Sequence, residues 1–109
     1  MGAPVVHVSG GMLYFHCPGC EYAHGIAVDG SRGWSCDGVY DAPTISPSIL
    51  VRYQHWVPPA SLENPNPGVQ VQRTDICHSF VRAGQIQFLP DCTHRLAGQT
   101  VPLEPWDAP

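Results

Sequence analysis

Four residues, Cys17-Pro18-Gly19-Cys20, set the strongest condition on how this chain folds. Two thiols separated by two residues can grip one metal ion from a tight turn, and the glycine lets the backbone come close to the sulfurs. Structural zinc takes four ligands, so residues distant in sequence have to return to this knuckle. The same spacing occurs in thioredoxin-like redox motifs, where it sits between a strand and a helix. Here Glu21-Tyr22-Ala23-His24-Gly25 runs into a glycine rather than a helix, which favours zinc. The chain has five cysteines, and an odd count argues against a fully paired disulfide framework.

The candidates for the remaining ligands are Cys36, Cys77, His78, Cys92, His94 and His24. Strand geometry ranks them. Ile76 to Val81 and Gln85 to Leu89 read as a hairpin around Ala83-Gly84. That turn sets Arg82 opposite Gln85, Val81 opposite Ile86 and Ser79 opposite Phe88. Continuing outward, Cys77 falls opposite Pro90. Because side chains alternate faces, Cys77, Cys92 and His94 project one way and His78 the other. Cys77 and Cys92 become diagonal neighbours roughly 6–8 Å apart. The expected zinc site is Cys17, Cys20, Cys77 and Cys92, with His94 as the substitute for one of the later pair. His24 reads as a ligand or as a hydrogen-bond donor to a thiolate. His78 reads as a hydrogen-bonded residue of the sheet, and Cys36, in a turn-like stretch, as a half-buried free thiol.

The rest of the chain is punctuated by 11 glycines and 12 prolines, which favours short strands and turns over helices. Further strands are expected over 5–8, 12–16, 25–28, 48–53, 69–72 and 96–103. The only helical candidate is a single turn at 60–64, bracketed by prolines that forbid extension. Residues 57–68 form a proline-stiffened loop of a length that is often functional. The fold class is therefore mainly β: one small domain over residues 1–109, made of short antiparallel strands with a zinc-ribbon-like metal site.

Charge narrows the partners. The net charge is -4 and there is no lysine. The five arginines are scattered, with no run able to neutralise several phosphates at once, so nucleic acid is disfavoured. No apolar stretch reaches the roughly 18 residues of a membrane span. The first ten residues lack the basic and apolar regions of a secretory signal. The expectation is a protein of the bacterial host cytoplasm.

The runs Phe15-His16-Cys17-Pro18-Gly19-Cys20 with His24-Gly25, Trp34, and Pro43-Thr44-Ile45-Ser46-Pro47-Ser48-Ile49-Leu50 resemble a family of small phage and prophage proteins. So do Cys77-His78-Ser79-Phe80-Val81, Gly84 to Leu89, Asp91-Cys92-Thr93-His94 and Ala97 to Thr100. The resemblance spans residues 12–103. Members often carry the label "ammonia monooxygenase", yet copper or iron oxygen chemistry needs histidine or carboxylate sites with open positions, which a thiol-rich knuckle does not supply. Related domains occur beside bacterial ubiquitin-like conjugation genes, so the resemblance implies a protein-modification setting. Cys36 departs from the family pattern, where a polar residue such as asparagine is expected.

Three functions compete. The first is a protein-interaction module of a phage or prophage, folded around one structural zinc that supplies stability a loop-rich core lacks, with a host factor or defence component as partner. It is favoured because no nucleophile–base pair is evident in the sequence. The second is a zinc hydrolase with three protein ligands and an open water position, using Asp91, Glu21 or His78 as proton acceptor. The third is a nucleic-acid-binding zinc ribbon with Trp34, Tyr53 and Trp56 stacking on bases.

Overall fold

A computed structural model describes residues 3–58 and 60–107. Among these residues there is no helix, and eight strands form two antiparallel sheets. The first sheet, in the order β1-β2-β3, comprises β1 (His7–Ser9), β2 (Met12–Cys17) and β3 (Tyr22–Ala27). The second, in the order β4-β5-β6-β7-β8, comprises β4 (Ser35–Cys36), β5 (Ile45–Val57), β6 (Val71–Arg82), β7 (Gln85–Phe88) and β8 (Thr100–Pro102). The mainly β single-domain expectation holds. The turn expected at 60–64 is not helical.

Period-two alternation decides which residues meet. On β2, Leu13, Phe15 and Cys17 are buried, and their cross-strand partners on β3 include His24 and Ile26. On the second sheet, Ile45, Ile49, Cys77, Ser79, Val81, Ile86 and Phe88 point inward. One apolar cluster joins the two sets, with Cys92, Leu96 and Leu103 closing it from the C-terminal segment.

The β6–β7 hairpin has the register that its sequence implies: Arg82 opposite Gln85, Val81 opposite Ile86 and Ser79 opposite Phe88. Its turn residues, Ala83 and Gly84, both have positive φ (49° and 80°), the signature of the hairpin turn whose twist matches the flanking strands. The turn docks on the loop before β5. The Ala83 N–H donates to Thr44 Oγ1 at 3.0 Å and the Gly84 N–H to Pro43 O at 2.9 Å. A Cβ at residue 84 would lie 3.0 Å from Ala42 Cα.

Two departures from expectation shape the site. The strands expected at 69–72 and 76–81 are one continuous β6, and β5 runs beside it from Ile45 to Val57. Among the described residues no third strand joins this pair beyond Val51, so a two-stranded arm projects and the molecule extends to 50 × 28 × 28 Å. The second departure lies in β5. Ile45 pairs with Val81 and Ile49 with Ser79, so Ser46, Pro47 and Ser48 all stand opposite Phe80 alone. Pro47 has no N–H to give to the ladder, and the extra residues bulge outward. Such bulges re-aim a side chain, and here the residue presented is Ser48.

Candidate functional site

Ser48, His78 and Asp91 form a hydrogen-bonded chain on the outer face of the second sheet. The Ser48 Oγ lies 3.3 Å from His78 Nε2. The His78 Nδ1 lies 3.1 Å from Asp91 Oδ2. With the proton on Nδ1, the imidazole donates to the carboxylate and its Nε2 accepts the Ser48 O–H. This is the geometry of a nucleophile, a general base and an orienting carboxylate.

Each residue is delivered by a different local device. The β5 bulge carries Ser48, and the Trp34 Nε1–H anchors that residue by donating to its carbonyl at 3.2 Å. His78 points outward from β6 because the adjacent Cys77 points inward. Asp91 sits in the turn Leu89-Pro90-Asp91-Cys92, closed by the Cys92 N–H donating to Leu89 O at 3.1 Å, with proline at the second position where its fixed φ belongs. The Leu89 N–H in turn donates to His78 O at 2.9 Å. The His78 side chain is 26% exposed and that of Asp91 52%, so the chain of bonds opens to solvent.

On the inner face, Cys17, Cys20, His24 and Cys77 each offer a ligand atom within 4.8 Å of the others. All five cysteines are free of disulfides. Zinc–sulfur bonds of about 2.3 Å place two sulfurs of one tetrahedral ion roughly 3.8 Å apart. The Cys17 and Cys77 sulfurs stand 3.8 Å apart. The Cys20 N–H approaches Cys17 Sγ at 3.4 Å, the contact expected of a thiolate in a knuckle. His24 is 5% exposed, and its Nε2 is buried without a hydrogen-bond partner. An orphaned nitrogen beside three thiols is costly unless it ligates something. The donor set fits a thiophilic divalent ion such as zinc. Without an ion, the Cys77 thiol shares its proton with Cys17, which holds Cys17 below the ordinary thiol value and pushes Cys77 above it. Burial pushes Cys20 up as well.

The other two expected ligands take different positions. Cys92 and His94 group with Cys77, within 4.8 Å of it, rather than with Cys17 and Cys20. The chain turns at Pro90 instead of continuing as a strand, so Cys92 folds back to His78. His94 accepts the Leu96 N–H on Nδ1 at 3.2 Å. Its Nε2 therefore carries the ring proton and faces Cys77 Sγ at 3.5 Å as a donor. Burial lowers the His94 pKa, which keeps the ring neutral in this role. The ring also covers the knuckle: a Cβ at residue 19 would overlap it. Cys36 stands apart from both groups, half-buried near Asp37.

The sequence reading placed His78 on the opposite face from Cys77, which the structure bears out. The hydrogen bond expected for His78 inside the sheet is present, to Ser48 of the neighbouring β5; the pairing of that serine with His78, and of His78 with Asp91, is not evident in the sequence. The available signal was Pro47 inside a strand-like run, since a proline there marks a bulge or an edge.

Among the described residues no helix is long and apolar enough to cross a membrane. No curated protein and no solved structure matches the chain. The family model described as bacterial ubiquitination-like system serine protease (BubE) matches residues 2–89, which include Ser48 and His78 and end two residues before Asp91. The match fits the ubiquitin-like conjugation setting that the sequence resemblance implied. With the greater part of its length matched, the chain belongs to the BubE family.

Proposed function

We propose that the chain is a serine peptidase that cuts peptide or isopeptide bonds in proteins of a bacterial ubiquitination-like system. The observation that carries this reading is the continuous Ser48–His78–Asp91 hydrogen-bonded chain. Ser48 Oγ attacks the scissile carbonyl as His78 Nε2 takes its proton. The protonated imidazole is held by Asp91 and returns the proton to the departing amine. A water then attacks the acyl-enzyme, giving its proton to His78 and releasing the acid and Ser48.

We also propose zinc as the ion of the inner cluster, held by Cys17, Cys20, His24 and Cys77. Three thiolates and an imidazole close its coordination, so its role is structural: it ties the β2–β3 hairpin of one sheet to β6 of the other. The zinc-hydrolase alternative would need an open position, which this set does not leave.

The test is a fluorophosphonate probe, which reacts covalently with activated serines. Labelling of the wild-type protein at Ser48, abolished in Ser48→Ala and strongly slowed in His78→Ala, supports the peptidase reading. Labelling that ignores both substitutions would sink it.

A protein-interaction role remains as a second reading, favoured by the two-stranded arm. Its exposed Tyr53, Trp56 and Val71, with Leu62 and Val69 in the proline-rich tip, offer an apolar surface of the kind that marks protein contacts. A phage-encoded copy would use it to engage a host factor or a defence component. In a peptidase the same arm would hold the protein substrate. Trp56→Ser with Val71→Ser should then weaken binding of that substrate and leave labelling of Ser48 by the small probe unchanged.

A further inference from the structure

Two short stretches each serve both faces of the second sheet. On β6, Cys77 belongs to the inner cluster and His78 to the outer chain of bonds. In the following turn, Asp91 reaches His78 on the outside while Cys92 is 8% exposed and belongs to the core. We infer that Cys92 is a positioning residue for the His78–Asp91 pair and not a metal ligand. This inference rests on the peptidase reading of Ser48, His78 and Asp91.

Both backbone groups of His78 bind the Cys92 thiol. The His78 N–H donates to Cys92 Sγ at 3.2 Å, and the Cys92 S–H donates to the His78 carbonyl at 3.2 Å. The carbonyl also accepts the Leu89 N–H at 2.9 Å, so the turn grips His78 from both of its ends. The next residue extends the clamp. The Thr93 N–H donates to Ile76 O at 2.9 Å, the Ile76 N–H donates to Thr93 Oγ1 at 3.1 Å, and the Thr93 hydroxyl donates to Asp75 Oδ1 at 2.8 Å. Segment 91–93 is thus fastened along residues 75–78, which fixes where the Asp91 carboxylate stands relative to the imidazole.

The Cys92 sulfur lies within 4.8 Å of the Cys77 and His94 ligand atoms but does not group with Cys17, Cys20 and His24. The four ligands proposed above would complete a tetrahedral set without it. Cys92 instead uses its donor and its acceptor on a single residue, the general base. An exposed carboxylate on a turn would otherwise sample many positions, and displacing a catalytic group by about 1 Å can cost on the order of a hundredfold in rate.

The test uses the full chain and the variants Cys92→Ala, Cys92→Ser and His24→Ala. Three readouts are taken: zinc per chain, the rate of fluorophosphonate labelling at Ser48, and the low-field proton resonance of the His78 Nδ1–H. Cys92→Ala should keep its zinc, label roughly ten- to a hundredfold more slowly, and lose or shift the resonance. Cys92→Ser, whose hydroxyl can still donate to the His78 carbonyl, should recover part of both. His24→Ala should lose the metal. Loss of zinc from both Cys92 variants, or wild-type labelling with an unmoved resonance in Cys92→Ala, overturns the assignment. If wild-type protein does not label at all, the peptidase reading fails. The resonance and zinc content then still decide whether Cys92 holds His78.

Discussion

Cys77 and His78 are consecutive residues that face opposite sides of β6: the first lies 3.8 Å from Cys17 in the buried thiol cluster, the second 3.3 Å from Ser48 on the outer face. A strand's alternation makes this unavoidable. Whatever fixes the position of Cys77 fixes the backbone of His78 within one peptide unit. The buried thiol cluster and the Ser48–His78–Asp91 chain of bonds share no side chain and are mechanically joined.

The carboxylate of Asp91 is half exposed, whereas the orienting carboxylate of a serine-protease triad is usually buried. Water can replace part of what Asp91 does for the imidazole. Asp91→Asn is therefore expected to lower the turnover rate by about 10²- to 10³-fold, less than the roughly 10⁴ seen where that carboxylate is buried. The melting temperature should stay near wild type, because an exposed polar group is being exchanged for its neutral isostere. Turnover together with a thermal melt checks both halves; a large loss of stability would move Asp91 from orienting to structural.

Metal affinity should rise with pH. In the metal-free cluster Cys20 and Cys77 hold their protons above the ordinary thiol range, Cys20 through burial and Cys77 through the proton it shares with Cys17. An ion must displace both, so binding near neutrality releases about two protons. Falling pH favours the protonated, metal-free form. Calorimetric titration of the stripped protein with zinc in two buffers of different ionisation enthalpy counts the protons directly. Removing zinc by a strong chelator should lower the melting temperature sharply, as should Cys17→Ser. Cys36→Ser should change little, since Cys36 touches neither cluster.

Gly19 has no room for a side chain because the His94 ring occupies the space: a Cβ would overlap it. Gly19→Ala must push His94 away and so remove its N–H from Cys77 Sγ. The expected result is weaker metal binding and a lower melting temperature. His94→Ala alone also costs the hydrogen bond, but it opens the space. In the double variant the clash disappears, so the two effects should be strongly non-additive. Equal and additive losses would mean that the ring does not press on the knuckle.

Much of the inner face was legible in the sequence. Local spacing marked the knuckle, and the Ala83-Gly84 turn fixed the β6–β7 register and thereby the opposite facing of Cys77 and His78. His24 was the harder residue. Its role follows from β3 starting at Tyr22, immediately after the knuckle, which pairs His24 with Phe15 on the buried face; a strand beginning at Gly25 hides that pairing. The outer triad was not legible because no single element contains it. Ser48 depends on a bulge, Asp91 on a proline turn that ends the ladder, and His78, a proton-acceptor candidate from sequence, on both partners being in place. Cys92 keeps the expected neighbourhood of Cys77 and His94, but the turn at Pro90, which an extended strand would not have, also brings its thiol to the His78 backbone.

Asp37 fastens the chain just before β5 with its carboxylate. Its Oδ1 accepts the N–H of Val39 at 3.1 Å and of Thr44 at 3.2 Å, closing the loop that leads into β5. These bonds, that from Val39 foremost, hold the Asp37 carboxyl below its ordinary value. A depressed carboxylate contributes stability that is fully present above the unfolded-state pKa and is lost as pH falls through the folded-state value. Asp37→Ala should therefore melt below wild type at neutral pH, with the gap narrowing once the pH drops under about 4. The loop also carries Thr44, which holds the Ala83 end of the hairpin turn, so the variant should label more slowly at Ser48 as well. Melting curves of the two proteins at several pH values between neutrality and strong acid make the check. A gap that stays constant across that range would show that the loop is held by its backbone bonds and not by the carboxylate.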